Sequence, residues 1–99
     1  MVQVEELKIE QLEQAASMLK AIAHPLRIGI ISLLEKSGQL TVTQIYETLG
    51  IEQSTASHHL GILKDRGVLS CKREGKNTVY FLRNENLGKI LDCVGRCTV

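Results

Sequence analysis

Two groups of side chains in this sequence have types and spacings that could do chemistry. The first lies in "QSTASHHLGILKDRGVL", where Gln53, Ser54, Thr55, Ser57, His58 and His59 precede a leucine pattern closed by Gly67. A helix that only had to fold would fill its outward positions with Glu, Lys and Gln. Short hydroxyl side chains occupy these early turns instead. They allow close approach of another backbone and leave O–H groups for phosphate oxygens or base edges. Gln53 has the paired donor and acceptor that match adenine, and His58 can donate to an acceptor edge. Adjacent residues point about 100° apart on an α-helix, so His58 is expected outward and His59 partly packed or touching backbone phosphate. One hydroxyl residue would serve as a helix cap; three within four positions exceed that need.

The second group is Cys93-x-x-x-Cys97. At i, i+4 the two sulfurs share one helix face, about one turn apart. A soft thiolate pair suits As(III), Cu(I) or a similar ion, with Cys71 as a third ligand if the fold brings it near. An intrahelical disulfide is disfavoured, because Cβ atoms about 5–6 Å apart exceed the roughly 3.5–4.5 Å the bond needs. Fraying at Gly95, a disulfide between two copies, or a polysulfide bridge would each relax that objection. The alternative is that all three cysteines are small buried hydrophobes, as free cysteine often is. Three cysteines so unevenly placed do not make a disulfide scaffold. The one cofactor these residues suggest is a soft metal or metalloid ion at Cys93 and Cys97.

The elements that position these groups follow from periodicity and punctuation. Leu7, Leu12, Ala15, Ala16, Leu19, Ile22 and Ala23 recur at helical spacing over Glu5 to Ala23, and the helix stops at His24-Pro25. "PLRIGIISLLEKS" is a second helix ending at Gly38, with Leu26, Ile30, Ile31, Leu33 and Leu34 inward. In "TVTQIYETLG", Thr41 and Gln44 match a capping box, Val42, Ile45 and Leu49 face inward, and Gly50 takes the left-handed end position. The "STASHHLGILKDRG" helix follows, with Ala56, Leu60 and Leu63 inward and Ile62 beside them. Two short helices joined by a tight turn have the dimensions of a helix-turn-helix. After Gly67 the period changes to two, and "VLSCKRE" and "NTVYFLR" flank "GK" as a hairpin with Arg73, Glu74 and Lys76 near its tip. A last helix carries Leu87, Ile90, Leu91 and Val94 on one side. Residues 1–99 thus read as a single domain of order helix–helix–helix–helix–hairpin–helix, mainly α with a two-stranded hairpin.

Charge separates along this order. Residues 1–52 carry four Lys/Arg against seven Asp/Glu, whereas residues 53–83 carry six (Lys64, Arg66, Lys72, Arg73, Lys76, Arg83) against two. The basic excess sits in the segment with the hydroxyl cluster, as for a polyanion footprint. Lys64 is an expected DNA contact, and Arg73 and Lys76 on the hairpin are expected to reach the phosphate backbone or the adjoining minor groove as a wing. The chain has no apolar run long enough to span a bilayer, and "MVQVEELKIEQLEQ" is acidic and amphipathic rather than signal-like, so a cytoplasmic protein with no membrane partner is expected. A core this short in aromatic residues (Tyr46, Tyr80 and Phe81) favours a homodimer.

"AHPLRIGIISLL", "ETLGIEQSTASHHLGILKDRGVL" and "KREGKNTVYFL" together resemble the ArsR/SmtB family of bacterial winged-helix repressors, over about residues 9–91. The run Ser57-His58-His59-Leu60, with Leu63, Gly67 and Val68, is its most specific part. The resemblance implies a winged helix-turn-helix homodimer, paired through its first and last helices, that binds a palindromic operator and releases it when an inducer binds or a thiol changes state. The chain departs from the family's metal sensors. Thr41-Val42-Thr43 stands where many carry Cys-x-Cys, and the last helix has Glu85 and Asp92 but no histidine, so zinc is not expected. Persulfide-sensing members pair an early cysteine with a late one, and here none precedes Cys71.

Two rival classes fit the sequence less well. An enzyme is disfavoured by the lack of paired acids, of a glycine-rich phosphate loop after a strand, and of catalytic Cys/His spacing. A winged helix used only for protein interaction would have no reason to keep small polar residues at Gln53–His58 beside a basic hairpin.

Overall fold

Helix α1 (Ile9–Ile22) opens the fold in a computed structural model that describes residues 8–84 and 87. The expected start at Glu5 lies outside the described residues. Lys8 precedes the first turn, and its backbone N–H donates to Gln11 Oε1 at 3.1 Å. The apolar residues of α1 divide between two faces. Ala21 and Ile22 are buried and Met18 packs on the core, while Ile9, Leu12 and Leu19 stay 72%, 44% and 58% exposed.

His24-Pro25 turns the chain by 100° into helix α2 (Pro25–Ser37), whose limits are those expected. His24 is the cap: its Nδ1 accepts the Leu26 N–H at 3.2 Å, and Pro25 fills a first-turn position that needs no donor. Ile30, Ile31 and Leu34 are buried, with Leu26 and Leu33 half-buried beside them.

The sheet corrects the two-stranded expectation. A third strand, β1 (Gln39–Thr41), lies along the hairpin formed by β2 (Leu69–Glu74) and β3 (Asn77–Leu82), in the order β1-β3-β2, all antiparallel. Gly38 (φ 86°) ends α2, and the next three residues pair Gln39 with Phe81, Leu40 with Tyr80 and Thr41 with Val79. Three residues are too few to display an alternating pattern, so local sequence does not announce this strand. In the hairpin, Glu74 pairs with Asn77 across Gly75-Lys76, and only Gly75 has positive φ (62°), which is the type II′ arrangement of a Gly-X loop.

Helix α3 (Val42–Leu49) and helix α4 (Gln53–Asp65) form the helix-turn-helix. The capping box is present: Gln44 N–H donates to Thr41 Oγ1 (3.1 Å) and Thr41 N–H to Gln44 Oε1 (2.9 Å). Both helices end the same way. At α3, Gly50 N–H reaches Glu47 O and Ile51 N–H reaches Tyr46 O; at α4, Gly67 N–H reaches Lys64 O and Val68 N–H reaches Leu63 O. These nested pairs are Schellman motifs, which need left-handed backbone at the glycine.

The core lies where α2, α3, α4 and the hairpin meet. Ile30, Ile31, Ile45, Leu60, Leu63 and Val68 are fully enclosed, with Leu34, Leu69 and Ile22 around them. Each such aliphatic side chain contributes about 1.5–3 kcal/mol on leaving water, enough to fix α4 by its inner face alone. Leu87 packs against this cluster from the expected last helix, whose remaining apolar positions Ile90, Leu91 and Val94 lie outside the described residues.

Candidate nucleic-acid interface

Helix α4 has one buried side and one open side. Ala56, Leu60 and Leu63 are fully buried and His59 is 7% exposed, which turns Ser54, His58 and Asp65 outward at i, i+4 and i+11, with Gly61 between them and Ser57 adjacent. A Cβ built at Gly61 would meet nothing within 4 Å, so the stripe is unobstructed at mid-helix. Gln53 and Lys64 are exposed on its flank, and Thr55 is half-buried on the other.

The hydroxyl groups are not used for capping. The residue preceding α4 is Glu52, which makes no side-chain cap bond, and the first amide satisfied within the helix is Ala56 N–H on Glu52 O. Among the described residues, the side chains of Gln53, Ser54, Thr55 and Ser57 make no hydrogen bond. The open end of α4 therefore combines unengaged hydroxyls with free backbone N–H groups of the first turn, a combination suited to phosphate.

Beyond α4, Arg73 and Lys76 are exposed on the hairpin, Lys76 in its turn. Lys72 is engaged differently: its Nζ lies 3.5 Å from Glu74 and 5.9 Å from the Phe81 ring centre. This half-exposed pair adds little to stability, yet it directs Lys72 along the sheet.

His59 separates from the exposed set. It is buried, and its Nδ1 accepts the Arg27 Nε–H at 3.1 Å. The packed alternative describes it, and direct phosphate contact does not, because core packing faces the ring inward. Its ring lies 4.6 Å from that of His24 and 5.3 Å from that of His58. Burial first, then the nearby charges of His24, Arg27 and His58, hold its pKa below the ordinary 6.5.

Sequence reasoning missed Arg27. Its Nη1 donates to Ala21 O at 2.9 Å, so one guanidinium joins the end of α1 to α4. Among the last carbonyls of α1, Leu19 and Lys20 share Ala23 N–H and Ile22 accepts from His24 N–H, which leaves Ala21 for Arg27. Arg66 makes a second tie from the end of α4, Nη1 to Ser17 Oγ at 3.0 Å. The spacing "HPLR" hinted at a helix start but gave no signal of a partner 32 residues away. Asp65 is exposed at the far end of the open stripe.

Cys71 is free and half-buried in β2, opposite Tyr80. Cys93 and Cys97, with Glu85 and Asp92, lie outside the described residues. Among the described residues no group of three His, Cys, Asp or Glu side chains is placed to hold a metal ion. No single described helix is long and apolar enough to cross a membrane.

Comparison with known proteins agrees with this geometry. The family model for the bacterial regulatory protein, arsR family, matches residues 24–70, from the His24 cap to the first residues of β2. The transcriptional repressor PagR of Bacillus anthracis is 40% identical over 86 residues, covering 85% of this chain and 86% of PagR. Its crystal structure superimposes with a TM-score of 0.81 at 36% identity, covering 88% of this chain and 99% of that one. The homodimeric winged helix-turn-helix domain of Mb0332 from Mycobacterium bovis, a possible ArsR-family regulator, gives a TM-score of 0.78 at 31% identity over 88% of this chain and 80% of that one. The antimony-specific transcriptional repressor AntR gives 0.78 at 25% identity, over 92% and 81%. The relatives are transcriptional regulators and not enzymes, their fold is the winged helix-turn-helix described above, and the chain belongs to the ArsR family of bacterial regulatory proteins.

Proposed function

We propose that this chain represses transcription as a homodimer that lays α4 of each subunit into the major groove of a palindromic operator. The observation that carries the reading is the open stripe of α4, where Ser54, Ser57 and His58 are exposed and, among the described residues, the hydroxyls of Ser54, Thr55 and Ser57 make no hydrogen bond. Gln53, Ser57 and His58 read base edges, Ser54, Thr55 and Lys64 hold phosphates, and Arg73 and Lys76 reach the backbone as a wing. His59 supports this surface from beneath. The dimer reading rests on α1, where Ile9, Leu12 and Leu19 leave an apolar stripe uncovered in the single chain. Residues 1–99 act as one winged-helix unit in the cytoplasm, with no membrane partner.

The test is binding to the DNA upstream of the chain's own gene, as a function of salt, against a random duplex of equal length. Affinity for the upstream duplex should exceed that for random DNA and fall steeply with salt, since each neutralised phosphate contributes about 0.9 to the slope. Equal affinity for both duplexes, or indifference to salt, would instead favour the protein-interaction module.

Release by an inducer acting on Cys93 and Cys97, with Cys71 as a further ligand or thiol, is the regulatory reading we attach to this function. Its support is the i, i+4 thiolate pair together with the likeness to an antimony-specific repressor, since antimony, like arsenic, is a soft thiophile. The rival is a repressor with no cysteine sensor. In cells, Cys93→Ser with Cys97→Ser should abolish derepression by As(III) or polysulfide; an unchanged response removes the sensor and leaves the repressor.

A further inference from the structure

We infer that Arg27 and His59 form a proton-controlled latch that sets the seat of α4, so that acidification weakens sequence-specific DNA binding. The inference rests on the DNA-binding reading above and concerns two residues that would not touch DNA. Its starting point is the hydrogen bond from Arg27 Nε–H to His59 Nδ1 at 3.1 Å. Arginine cannot give up its proton in this range, so Nδ1 must be the bare acceptor nitrogen and the neutral ring carries its proton on Nε2. Adding a proton to His59 therefore puts it on Nδ1, facing the guanidinium N–H. The acceptor is lost and two cations oppose each other across the former hydrogen bond.

What the latch joins explains why this matters for DNA. Arg27 belongs to α2, holds the last turn of α1 through Ala21 O, and reaches the middle of α4 through His59. His59 adjoins His58 on the open stripe, with ring centres 5.3 Å apart. When Arg27 lets go, that part of α4 loses its one side-chain hydrogen bond to the α1–α2 corner among the described residues and keeps only its apolar packing. The groups facing His59 are His24 from the corner, Arg27 from α2 and His58 from α4, all basic. An open cleft of about 510 Å³ between α1 and α4 brings water to Arg27 and adds Lys20, Arg66 and Glu13 at its rim. None of the groups against His59 is a carboxylate that could shelter the added proton.

The sign follows from these neighbours. They hold the folded-state pKa of His59 below the 6.5 of an unfolded chain. Its contribution is thus complete above pH 6.5, shrinks as pH falls through that value, and stops changing below the folded pKa. DNA binding that needs the latch closed has a lower window: it is unchanged above the folded pKa, where the ring is already neutral, and falls as pH drops through and below that value, by at most about tenfold per pH unit for one proton.

The experiment compares wild type with His59→Asn, whose Oδ1 stands in for Nδ1 as acceptor and cannot be protonated. Binding to the upstream duplex and to random DNA is measured from pH 7.5 down to the lowest pH at which circular dichroism shows both proteins folded. His58 is present in both proteins, so the surface it offers to DNA is common to the comparison. Wild type should lose up to about tenfold more of its preference for the upstream duplex than His59→Asn does. Arg27→Met, checked for fold by circular dichroism, should at pH 7.5 already show the reduced preference of acidified wild type. Identical pH dependence in wild type and His59→Asn, or full preference in folded Arg27→Met, overturns the latch. Nitrogen NMR of the free protein separates this from failure of the DNA reading. The His59 Nδ1 signal should be that of an unprotonated acceptor at pH 7.5 and should change together with the Arg27 Nε–H signal; a protonated Nδ1 at pH 7.5 refutes the latch whether or not DNA binds.

Discussion

At the scale of single residues, α4 divides its work between side chains that face out and side chains that hold the helix still. Ser57 and His58 belong to the first kind, and neither contributes to the core. Replacing both by alanine should leave the thermal midpoint nearly unchanged and remove about 1–3 kcal/mol of discrimination per lost base contact, read as the affinity ratio between upstream and random duplex. Lys76→Ala, at the exposed hairpin turn, should act differently: affinity for every duplex falls alike and the salt slope flattens by about one. The two variants together separate reading from holding. The outward set was legible in sequence because exposure on a helix follows from the positions of Ala56, Leu60 and Leu63, which the apolar pattern marks. His59 was harder to place. A histidine at the border of the buried face fits either side by periodicity, and only its bond to Arg27, 32 residues earlier, resolves it.

At the scale of elements, the helix ends are chemical and therefore local, which is why α2, α3 and the hairpin turn could be read directly from sequence. His24-Pro25, Thr41 with Gln44, Gly50, Gly67 and Gly75-Lys76 each act within a few residues of where they stand. Strand β1 was invisible for the opposite reason, since its partner Val79–Phe81 lies on the far side of the helix-turn-helix in sequence. Gly50 gives a clean measure of this local chemistry. Its φ is 67° and a Cβ there would touch nothing within 4 Å, so any penalty for alanine is conformational. Gly50→Ala should lower stability by about 1–2 kcal/mol in denaturant unfolding, and Gly50→Asn by less, because asparagine tolerates left-handed backbone. Equal loss in the two variants would point to a contact at Gly50 rather than to its backbone.

At the scale of the whole molecule, the uncovered face of α1 governs what a single subunit can do. Leu19 is 58% exposed and Leu12 44%, on a helix whose other face holds Met18, Ala21 and Ile22 against the core. Leu12→Glu with Leu19→Glu should leave the subunit folded, shift sedimentation from dimer to monomer, and reduce operator affinity by the loss of the second half-site. A sedimentation profile unchanged from wild type would move the pairing surface elsewhere. The same helix is tied to α4 by Arg27 at Ala21 and by Arg66 at Ser17, so the surface proposed for pairing and the surface proposed for DNA are joined by two guanidinium groups.

Thr41 has a consequence of its own. It closes β1 against Val79 and, without an intervening residue, caps α3 through Gln44. The hairpin and the helix pair are thus coupled with no slack. An extra residue inserted at this junction would have to break either the ladder or the cap, whereas one inserted at Gly75-Lys76 only lengthens a solvent-facing tip. A change of hairpin length is therefore tolerated at the tip, while the angle between hairpin and helices is held by this one residue.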